Sequence, residues 1–382
     1  MTQQFLSGLP LAGQVAAHIL SKQAARIGEH VFVVSGDQQI TYAEADQRAD
    51  RMASALARQG IKKSERVAIL LKNRIEYLDL WFGLSRIGAI QMPLNTAYKS
   101  PQLQHTLKRS PPVAIVVEDD LLPELEIIID QLDSIKLLIV VGTAQVRCKC
   151  KCLFLMDILS PGIETLNAPS ISGADIGAIM NTSGTTGPSK GVLLPHAQQY
   201  ILGRNMVLDM QLTEADVYYN CFPLFHNTAQ AMITLPVLLT GARMVLVERF
   251  SASQFWPDVV KHRCTAFYYI GETLRILLKT TSAGDAAGHK LRVGWGIGAS
   301  PADFREFETR HGVALRSGYG STEANVPMFL PHANANLASV GRCVEGFEVR
   351  VVDEHNDHLP PDRKSTRLNS SHVSESRMPS SA

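Results

Sequence analysis

The chain contains 382 residues, of which 45% are hydrophobic and 19% are charged, a composition typical of globular enzymes with room for two or three core-bearing units. Lys and Arg number 37 and Asp and Glu number 36, which gives a net charge of +1. This balance excludes the strongly basic surface by which many proteins bind nucleic acid.

The longest apolar stretch lies at 233–247 and is interrupted by Pro236, Gly241 and Arg243. A membrane-spanning helix needs about 18 or more consecutive apolar residues, so no transmembrane segment is predicted. The N-terminus lacks the basic segment followed by an apolar core that defines a signal peptide. We therefore expect a cytoplasmic protein.

Short apolar runs alternate with amphipathic segments along the first half of the chain. The runs predict strands at 31–34, 67–71, 89–94, 113–117 and 136–141. The amphipathic segments predict helices at 14–27, 41–60, 76–87, 101–108 and 120–132. Thr41 and Glu44 have the spacing of a capping box, and Gly88 marks a helix end.

The same alternation continues in the second half. Strands are predicted at 176–180, 218–222, 244–247, 265–270 and 291–297. Helices are predicted at 195–210, 229–239, 253–262, 272–278 and 302–310. Strands that alternate with helices indicate an α/β fold, here two α/β subdomains with largely parallel sheets.

Three of the six cysteines lie close together, in the segment Cys148-Lys149-Cys150-Lys151-Cys152. The six do not form the disulfide framework of a small secreted protein. A soft-metal site is one interpretation of the segment, but its basic spacers repel a cation and no second ligand pair follows. A solvated strand or loop is the favoured interpretation.

One loop combines small and hydroxyl residues with a single lysine: Thr182, Ser183, Gly184, Thr185, Thr186, Gly187, Pro188, Ser189, Lys190 and Gly191. Its backbone N–H groups and hydroxyls can surround a phosphate chain, and Lys190 adds positive charge. The loop follows the predicted strand at 176–180, and ligands favour strand ends in α/β sheets. Lys190 comes three residues after Gly187, whereas in a Walker loop the lysine follows the glycine directly, so a Walker-type NTPase is not predicted. A flexible linker is the alternative.

A second cluster is Gly318-Tyr319-Gly320-Ser321-Thr322-Glu323. Glycines on both sides of an aromatic ring let it lie flat against a planar base. The hydroxyls of Ser321 and Thr322 can meet a phosphate, and Glu323 can hold Mg²⁺ through one or two oxygens. A glycine-rich turn with an exposed glutamate is the plainer interpretation.

These two clusters resemble the adenylate-forming superfamily, which includes acyl-CoA synthetases, luciferases and peptide-synthetase adenylation domains. The loop matches its S-G-T-T-G-x-x-K-G signature, and Tyr319, Gly320, Thr322 and Glu323 match its Y-G-x-T-E element. The resemblance covers residues 5–362 and implies a layered αβαβα core. The segment 340–353 looks like the start of the family's small β-rich subdomain.

Two weaker elements gain weight from their order along the chain. Gly298-Ala299-Ser300-Pro301 resembles the family element that lines the adenine pocket. Pro223-Leu224-Phe225-His226 resembles the P-x-F-H element whose histidine neighbours the reacting carboxylate. A packed or capped histidine is the plainer interpretation of His226.

The resemblance implies a role for each matching residue. Thr182 to Lys190 would hold the β- and γ-phosphates of ATP, Thr322 the α-phosphate, and Glu323 the Mg²⁺ ion. The predicted catalytic residues are Thr182, Lys190, His226 and Glu323. The adenine would contact Tyr319 together with Gly298, Ala299 and Ser300, and the acid would be bordered by Phe225, His226 and Asn227.

The implied activity is that of an ATP-dependent acid:CoA ligase, which activates a carboxylic acid as an acyl-adenylate and transfers it to CoA. Segments 248–278 and 307–323 look like the crotonobetaine/carnitine-CoA ligase type. Three alternatives stay open: a catalytically impaired nucleotide-binding remnant, another adenylate-forming enzyme, and a kinase-like enzyme that makes an acyl phosphate.

The end of the sequence departs from the family pattern. Residues 1–362 resemble an incomplete large N-terminal domain, and the family's small C-terminal domain is not matched. Residues 363–382 are polar and Ser-rich, which predicts a disordered, non-native tail, with a native disordered tail as the alternative. We therefore expect this chain to bind ATP weakly and to adenylate poorly.

Overall fold

The computed structural model describes residues 5–159, 169–182, 190–282, 284–330, 336–337, 339–353, 355 and 357–359. These residues form two β-sheets flanked by helices. Within them, no helix combines the length and the apolar character that crossing a membrane requires.

The α-helices are α1 Ala16–Ile27, α2 Tyr42–Arg58, α3 Ile75–Ile87, α4 Ser100–Arg109, α5 Leu122–Glu126, α6 Leu155–Leu159, α7 His196–Met210, α8 Leu235–Thr240, α9 Ala252–Lys261, α10 Gly271–Thr280 and α11 Pro301–His311. Short 3₁₀ turns lie at Leu11–Gly13, Asp119–Leu121 and Ile129–Gln131, and a π-helical segment lies at Thr228–Thr234.

The strands are β1 Val31–Ser35, β2 Gln38–Thr41, β3 Arg66–Leu70, β4 Ile90–Pro93, β5 Ala114–Glu118, β6 Leu137–Val141, β7 Lys151–Phe154, β8 Ile176–Thr182, β9 Lys190–Pro195, β10 Val217–Asn220, β11 Arg243–Leu246, β12 Ala266–Ile270, β13 Val293–Ile297, β14 Ala314–Ser321, β15 Asn325–Leu330 and β16 Arg342–Cys343.

Both sheets are largely parallel, as predicted. The seven-stranded sheet has the order β7-β6-β5-β3-β4-β8-β9, and only its β8–β9 pair is antiparallel. The nine-stranded sheet has the order β16-β15-β14-β13-β12-β10-β11-β1-β2. Its strands from β14 to β1 pair in parallel, and antiparallel strands are confined to its two ends.

Alternating side chains on the strands define the predicted αβαβα layers. Val67 and Ile69 of β3 belong to a central core that also includes Tyr218 of the other sheet. The intervening residues Ala68 and Leu70 face a second core beneath α4 and α5. A third core covers the opposite face of the nine-stranded sheet beneath α9, α10 and α11. Two sheets thus separate three helical layers.

Local signals account for two helix ends as predicted. The backbone N–H of Glu44 donates to Thr41 Oγ1 over 3.2 Å, and the N–H of Thr41 donates to Glu44 Oε2 over 2.8 Å, which completes the capping box of α2. Helix α3 ends at Gly88, whose φ of 69° is left-handed and favours glycine.

Two predicted helices are wrong in detail, and a proline lies in each. The segment 120–132 is split into a 3₁₀ turn, α5 and another 3₁₀ turn, because Pro123 has no N–H to extend the first turn. The segment 229–239 begins as a π-helix and becomes α8. Pro236 offers no N–H to the carbonyl of Met232, and the hydroxyl of Thr234 donates to the carbonyl of Ala229 over 2.7 Å.

The distribution of strands between sheets was not visible in the sequence. The β1–β2 hairpin belongs to the sheet of the second half, with Val33 opposite Met244 in parallel register. Of the predicted β-rich segment, strand β16 and a bridge between Val352 and His358 are described. The predicted tail at 363–382 lies outside the described residues.

Candidate active site

The carboxyl edge of the nine-stranded sheet gathers three of the predicted site segments. Strands β10, β12, β13 and β14 are consecutive parallel neighbours, so their carboxyl ends share this edge. His226 follows β10, Gly298 follows β13, and Thr322 follows β14. This edge is where ligands bind in open α/β sheets.

The predicted adenine-binding residues are neighbours across two strands. Gly296 of β13 pairs with Ser317 of β14, and Gly298 and Tyr319 each follow these paired residues by two positions. Adjacent strands lie about 4.8 Å apart, so the two segments can contact one ligand. Tyr319 is 37% exposed and is therefore open to such a ligand.

Ser300 has a structural task as well. Its hydroxyl accepts a hydrogen bond from the backbone N–H of Asp303 over 3.1 Å and caps α11, and it also donates to Asp303 Oδ2 over 2.8 Å. Gly298, with a φ of 74°, turns the chain between strand and helix. Backbone groups of this turn are therefore better placed for ligand binding than the Ser300 side chain.

The cluster 318–323 is the end of a strand, not a glycine-rich turn throughout. Strand β14 continues to Ser321 and pairs with β15, which begins at Asn325. Gly320 is required here because a Cβ atom would lie 2.1 Å from the carbonyl oxygen of Asn325. Residues 322–324 thus form the tight connection between these paired strands, which we call the acidic connection because it contains Glu323.

Gln198, in the first turn of α7, fixes this connection. Its Nε2 donates to the carbonyl oxygens of Thr322 over 3.1 Å and of Glu323 over 2.9 Å. In the reverse direction, Asn325 Nδ2 donates to the carbonyl of Gln198 over 3.0 Å. These bonds join the acidic connection of the nine-stranded sheet to the helix that follows strand β9 of the other sheet.

The predicted phosphate loop joins β8 and β9. Thr182 and Lys190 are opposite each other at its base, and Thr182 is half-buried whereas Lys190 is exposed. The intervening loop residues Ser183, Gly184, Thr185, Thr186 and Gly187, with 188–189, lie outside the described residues. Lys190 and Pro195 are at opposite ends of β9, about 17 Å apart along a regular strand. Lys190 therefore lies at the end of β9 that is remote from Gln198, the residue that contacts the connection at Glu323. That Lys190 and Glu323 share one triphosphate stays a prediction.

His226 lies in the segment after β10 and is exposed. Its Nδ1 accepts from the backbone N–H of Thr228 over 3.2 Å and lies 3.0 Å from the hydroxyl of that residue. Desolvation by surrounding protein atoms lowers the pKa of His226 below its ordinary value even though the residue keeps exposed surface. In the neutral ring the proton is then on Nε2, which can donate to a carboxylate.

Asn73 holds the segment before His226 in place. Its Oδ1 accepts from the N–H of Leu224 over 2.7 Å, and its Nδ2 donates to the carbonyls of Phe222 and Val247 over 2.9 Å each. Asn73 is only 9% exposed and follows β3 of the seven-stranded sheet. A single side chain thus connects the carboxyl ends of strands from both sheets.

A buried amide network supports Asn227 from behind. Gln199 Nε2 donates to Asn227 Oδ1 over 3.2 Å and lies 3.4 Å from Gln230 Oε1. Gln230 and Gln91 exchange amide hydrogen bonds of 2.8 and 3.2 Å. The side chain of Asn227 is therefore part of the scaffold, and Phe225 and His226 are better placed to contact an acid.

The residues present fit a magnesium ion that is shared with a phosphate ligand, not one held by protein alone. Glu323 is exposed, and its hydrogen bond to Gln198 engages its backbone oxygen only. No group of three or more His, Cys, Asp or Glu side chains in the described part of the chain could hold a metal ion. One carboxylate is sufficient where phosphates and water complete the octahedral shell.

Comparison with protein families gives a match over residues 20–366 to the model described as AMP-binding enzyme. The chain belongs to the AMP-binding enzyme family. This confirms the resemblance stated from the two motifs, and the matched range contains the predicted site segments.

Two curated relatives illustrate the range of the AMP-binding family. The chain is 31% identical over 314 residues to the medium/long-chain-fatty-acid–CoA ligase FadD6 of Mycobacterium tuberculosis, covering 80% of this chain and 50% of the relative. It is 30% identical over 338 residues to a crotonobetaine/carnitine–CoA ligase of Escherichia coli, covering 84% of this chain and 63% of the relative. The chain thus spans half to somewhat under two thirds of these relatives.

Solved structures show the same fold as this AMP-binding chain. The anthranilate CoA ligase AuaEII in complex with anthranoyl-AMP matches with a TM-score of 0.85 at 24% identity, over 93% of this chain and 69% of that chain. A putative long-chain-fatty-acid CoA ligase from Rhodopseudomonas palustris matches with a TM-score of 0.82 at 25% identity, over 91% and 86%. The first of these supports the fold alone.

Sequence reasoning missed Gln198 and Asn73. Asn73 left a faint signal, since it is a polar residue placed just after the apolar run of β3, where α/β sheets bind ligands or close their edges. Gln198 left none, because its partners are backbone carbonyls more than 120 residues away.

Proposed function

We propose that this chain is the acid-activating part of an ATP-dependent acid:CoA ligase. The observation that supports this best is the pair of hydrogen bonds from Gln198 to the acidic connection. These bonds hold the residues predicted to bind the α-phosphate and the metal, Thr322 and Glu323, beside α7, the helix that directly follows β9. The residues proposed to bind the adenine and the acid follow strands whose carboxyl ends share one edge of the nine-stranded sheet.

In the first step, a carboxylate oxygen of the acid attacks the α-phosphorus of ATP, the bond to the β-phosphate breaks, and pyrophosphate leaves. Negative charge develops on the phosphoryl oxygens, so fixed donors and cations stabilise the transition state more than a general base would. Thr322 is the proposed donor to the α-phosphate. Lys190 and the hydroxyls of Thr182 to Thr186 are the proposed partners of the departing phosphates.

Glu323 would hold Mg²⁺, which supplies neutralising charge to the phosphates when bound. The work of Gln198 is to keep the backbone under this carboxylate rigid, because two hydrogen bonds to successive carbonyls leave the connection little freedom. Tyr319 would cover one face of the adenine, with the Gly298–Ala299 backbone at its edge.

His226 is the proposed partner of the acid. Because Nδ1 is engaged by Thr228, the neutral ring presents Nε2–H, which can donate to the carboxylate and orient it toward phosphorus. In the second step, the thiolate of CoA attacks the carbonyl carbon of the acyl-adenylate, the bond to the phosphate oxygen breaks, and AMP leaves.

The acid itself stays open. The curated relatives are ligases of medium- or long-chain fatty acids and of crotonobetaine or carnitine, so a role in fatty acid metabolism is one branch of the proposal. ATP, Mg²⁺ and CoA are common to both branches. A cytoplasmic location stays a prediction from the sequence.

The test is product analysis with hydroxylamine, which traps an activated acid as its hydroxamate. A panel of fatty acids and quaternary-ammonium acids is incubated with the chain, Mg-ATP and hydroxylamine, and pyrophosphate exchange into ATP measures slow activation. We expect hydroxamate, AMP and pyrophosphate in equal amounts. Acid-dependent ADP would instead identify a kinase, and ATP binding without any exchange would identify a nucleotide-binding remnant.

A charge-removing variant links the activity to the site. Glu323→Gln should weaken binding of Mg-ATP about tenfold, equivalent to about 1.4 kcal/mol, and should shift the dependence on Mg²⁺ concentration. Glu29→Gln is the matched control, because Glu29 is exposed and lies near the start of the chain, before β1. Equal effects of the two substitutions would contradict the assignment of Glu323.

A further inference from the structure

Two cysteine thiols lie almost in covalent reach of each other, far from the nucleotide site. Cys148 Sγ and Cys150 Sγ are 3.3 Å apart, and both residues are half-buried. A disulfide bond has an S–S length of about 2.05 Å, so the sulfurs need to approach by about 1.3 Å. Cys148 precedes the edge strand β7 and Cys150 adjoins it.

The two thiols have different hydrogen-bond partners. The S–H of Cys148 is within 3.4 Å of the carbonyl oxygen of Cys150, so the S–H of Cys150 is the one available to donate to Cys148 Sγ. Desolvation first, and this contact second, raise the pKa of the Cys150 thiol above its usual value. The Cys150 thiol therefore stays protonated within this contact.

A small cavity borders Cys150. It has a volume of about 220 Å³ and is lined by Cys150 and Lys149 together with residues of the 129–135 segment, among them Asp130 and Asp133. The backbone N–H of Lys149 donates to Asp130 Oδ1 over 2.8 Å and fixes the position of the segment. The space is large enough for a small hydroperoxide.

We propose that Cys148 and Cys150 form an intramolecular disulfide when the protein meets hydrogen peroxide or another small hydroperoxide. One of the two sulfurs, as its thiolate, attacks the peroxide oxygen, the O–O bond breaks, and the products are a sulfenic acid and hydroxide, or water after protonation. The sulfur of the other cysteine then attacks the sulfenic sulfur, its proton leaves with the hydroxyl as water, and the S–S bond forms. Two thiols are oxidised, one peroxide is reduced, and two water molecules result.

The other cysteines are less suited to this reaction. Cys221 and Cys264 are buried in the core under the nine-stranded sheet, and Cys343 is exposed on β16. Cys152 lies within β7, and desolvation raises the pKa of its thiol. Strand β7 is five positions from β8 in the sheet, about 24 Å at the usual strand spacing, so the disulfide modifies the fold's edge and not the nucleotide site.

The experiment treats the full chain with one equivalent of hydrogen peroxide, blocks the remaining thiols by alkylation, and cleaves before aspartate. The resulting peptide 133–156 contains the three clustered cysteines and no others. We expect this peptide to be lighter by two hydrogen atoms and to carry one alkyl group, and dithiothreitol should restore three alkylation sites.

Single variants identify the pair. Cys148→Ser and Cys150→Ser should abolish the internal disulfide, and Cys152→Ser should retain it. Persistence of the disulfide in Cys148→Ser, added oxygen atoms in place of hydrogen loss, or an unmodified peptide would each overturn the proposal. Circular dichroism of each variant confirms folding, and the outcome does not depend on whether the chain activates an acid.

Discussion

The Nε2 atom of Gln198 lies 2.9 Å from the backbone oxygen of Glu323 and 3.1 Å from that of Thr322. One side-chain amide thus satisfies two successive carbonyls on a tight connection between strands. Because Gln198 belongs to α7, which directly follows β9, the amide links the seven-stranded sheet to the acidic connection of the nine-stranded sheet. We expect the geometry of the candidate site to depend on this contact.

Removing the amide should weaken nucleotide binding more than it weakens the fold. Gln198→Ala deletes two hydrogen bonds worth about 1 kcal/mol each, so we expect a rise of about 5- to 30-fold in the dissociation constant for Mg-ATP. Titration with a fluorescent ATP analogue measures this change. The KM for the acid should change less, since His226 is held by other contacts.

Gln254→Ala is the matched control for this substitution. Gln254 is an exposed glutamine on α9, so its truncation removes the same atoms without touching the acidic connection. Equal nucleotide affinity in the Gln198 and Gln254 variants would show that the connection holds its shape without the amide.

Asn73 should be a stability determinant as well as a positioning residue. Asn73→Ala leaves the buried N–H of Leu224 and the carbonyls of Phe222 and Val247 without their partner, so we expect a loss of about 3 kcal/mol in the free energy of unfolding. Urea unfolding measures the loss. The KM for the acid should rise in the same variant, because the segment that carries His226 is released.

The control for Asn73 is another asparagine that makes one local bond. Within the described residues, Asn95 Oδ1 accepts one hydrogen bond, from the N–H of Ala97 over 2.9 Å in an exposed contact. Asn95→Ala should therefore cost about 1 kcal/mol or less. If the two variants unfold at the same urea concentration, the bridge made by Asn73 is not important for stability.

The sequence predicted most elements because their signals are local. The capping box at Thr41, the left-handed glycine at Gly88 and the apolar runs of the strands depend on residues a few positions apart. Sheet membership depends on contacts between distant segments, and for this reason the pairing of β1 with β11 was not predicted. The π-helix at 228–234 was not predicted, because a proline in a helical pattern indicates a missing hydrogen bond but not whether the preceding turns widen.

In the candidate site too, some residues could be predicted from local motifs and others could not. Tyr319 and Gly298 were identified by motif and lie on adjacent strand ends, so chain order was a sufficient guide. Ser300 was assigned to the adenine, but its hydroxyl caps a helix, a use that the motif does not reveal. Gln198 binds backbone carbonyls, which every residue has, so no residue type in the sequence marks its partners.

Acid should destabilise the protein through His196, the first residue of α7. The residue is 3% exposed, and burial lowers its pKa to about 4, with Asp175 opposing and His18 adding to this shift. The unfolded chain takes up the proton near its ordinary pKa of about 6.5, so the stabilisation is complete above that pH and is lost as the pH falls toward 4. We expect a loss of about 2 kcal/mol between pH 7.5 and pH 5 from this group.

Urea unfolding of wild type and His196→Gln at both pH values measures the contribution. The variant should be less stable at pH 7.5, because a buried site is perturbed, but its stability should fall less between the two pH values. A pH slope identical to that of the wild type would show that other groups account for acid sensitivity.

The same histidine should make Gly177 intolerant of a side chain. A Cβ atom at Gly177 would lie 2.5 Å from Cε1 and Nδ1 of the His196 ring, and the ring is buried and has little room to move. Gly177→Ala should therefore cost about 2 kcal/mol, the scale of an overpacked core. Gly284→Ala is the control, since its nearest neighbour would be Ser282 Oγ at an ordinary 3.5 Å. Combining Gly177→Ala with His196→Ala removes the clash, so the double variant should be more stable than the sum of the single losses indicates, and strict additivity would refute the contact as the cause.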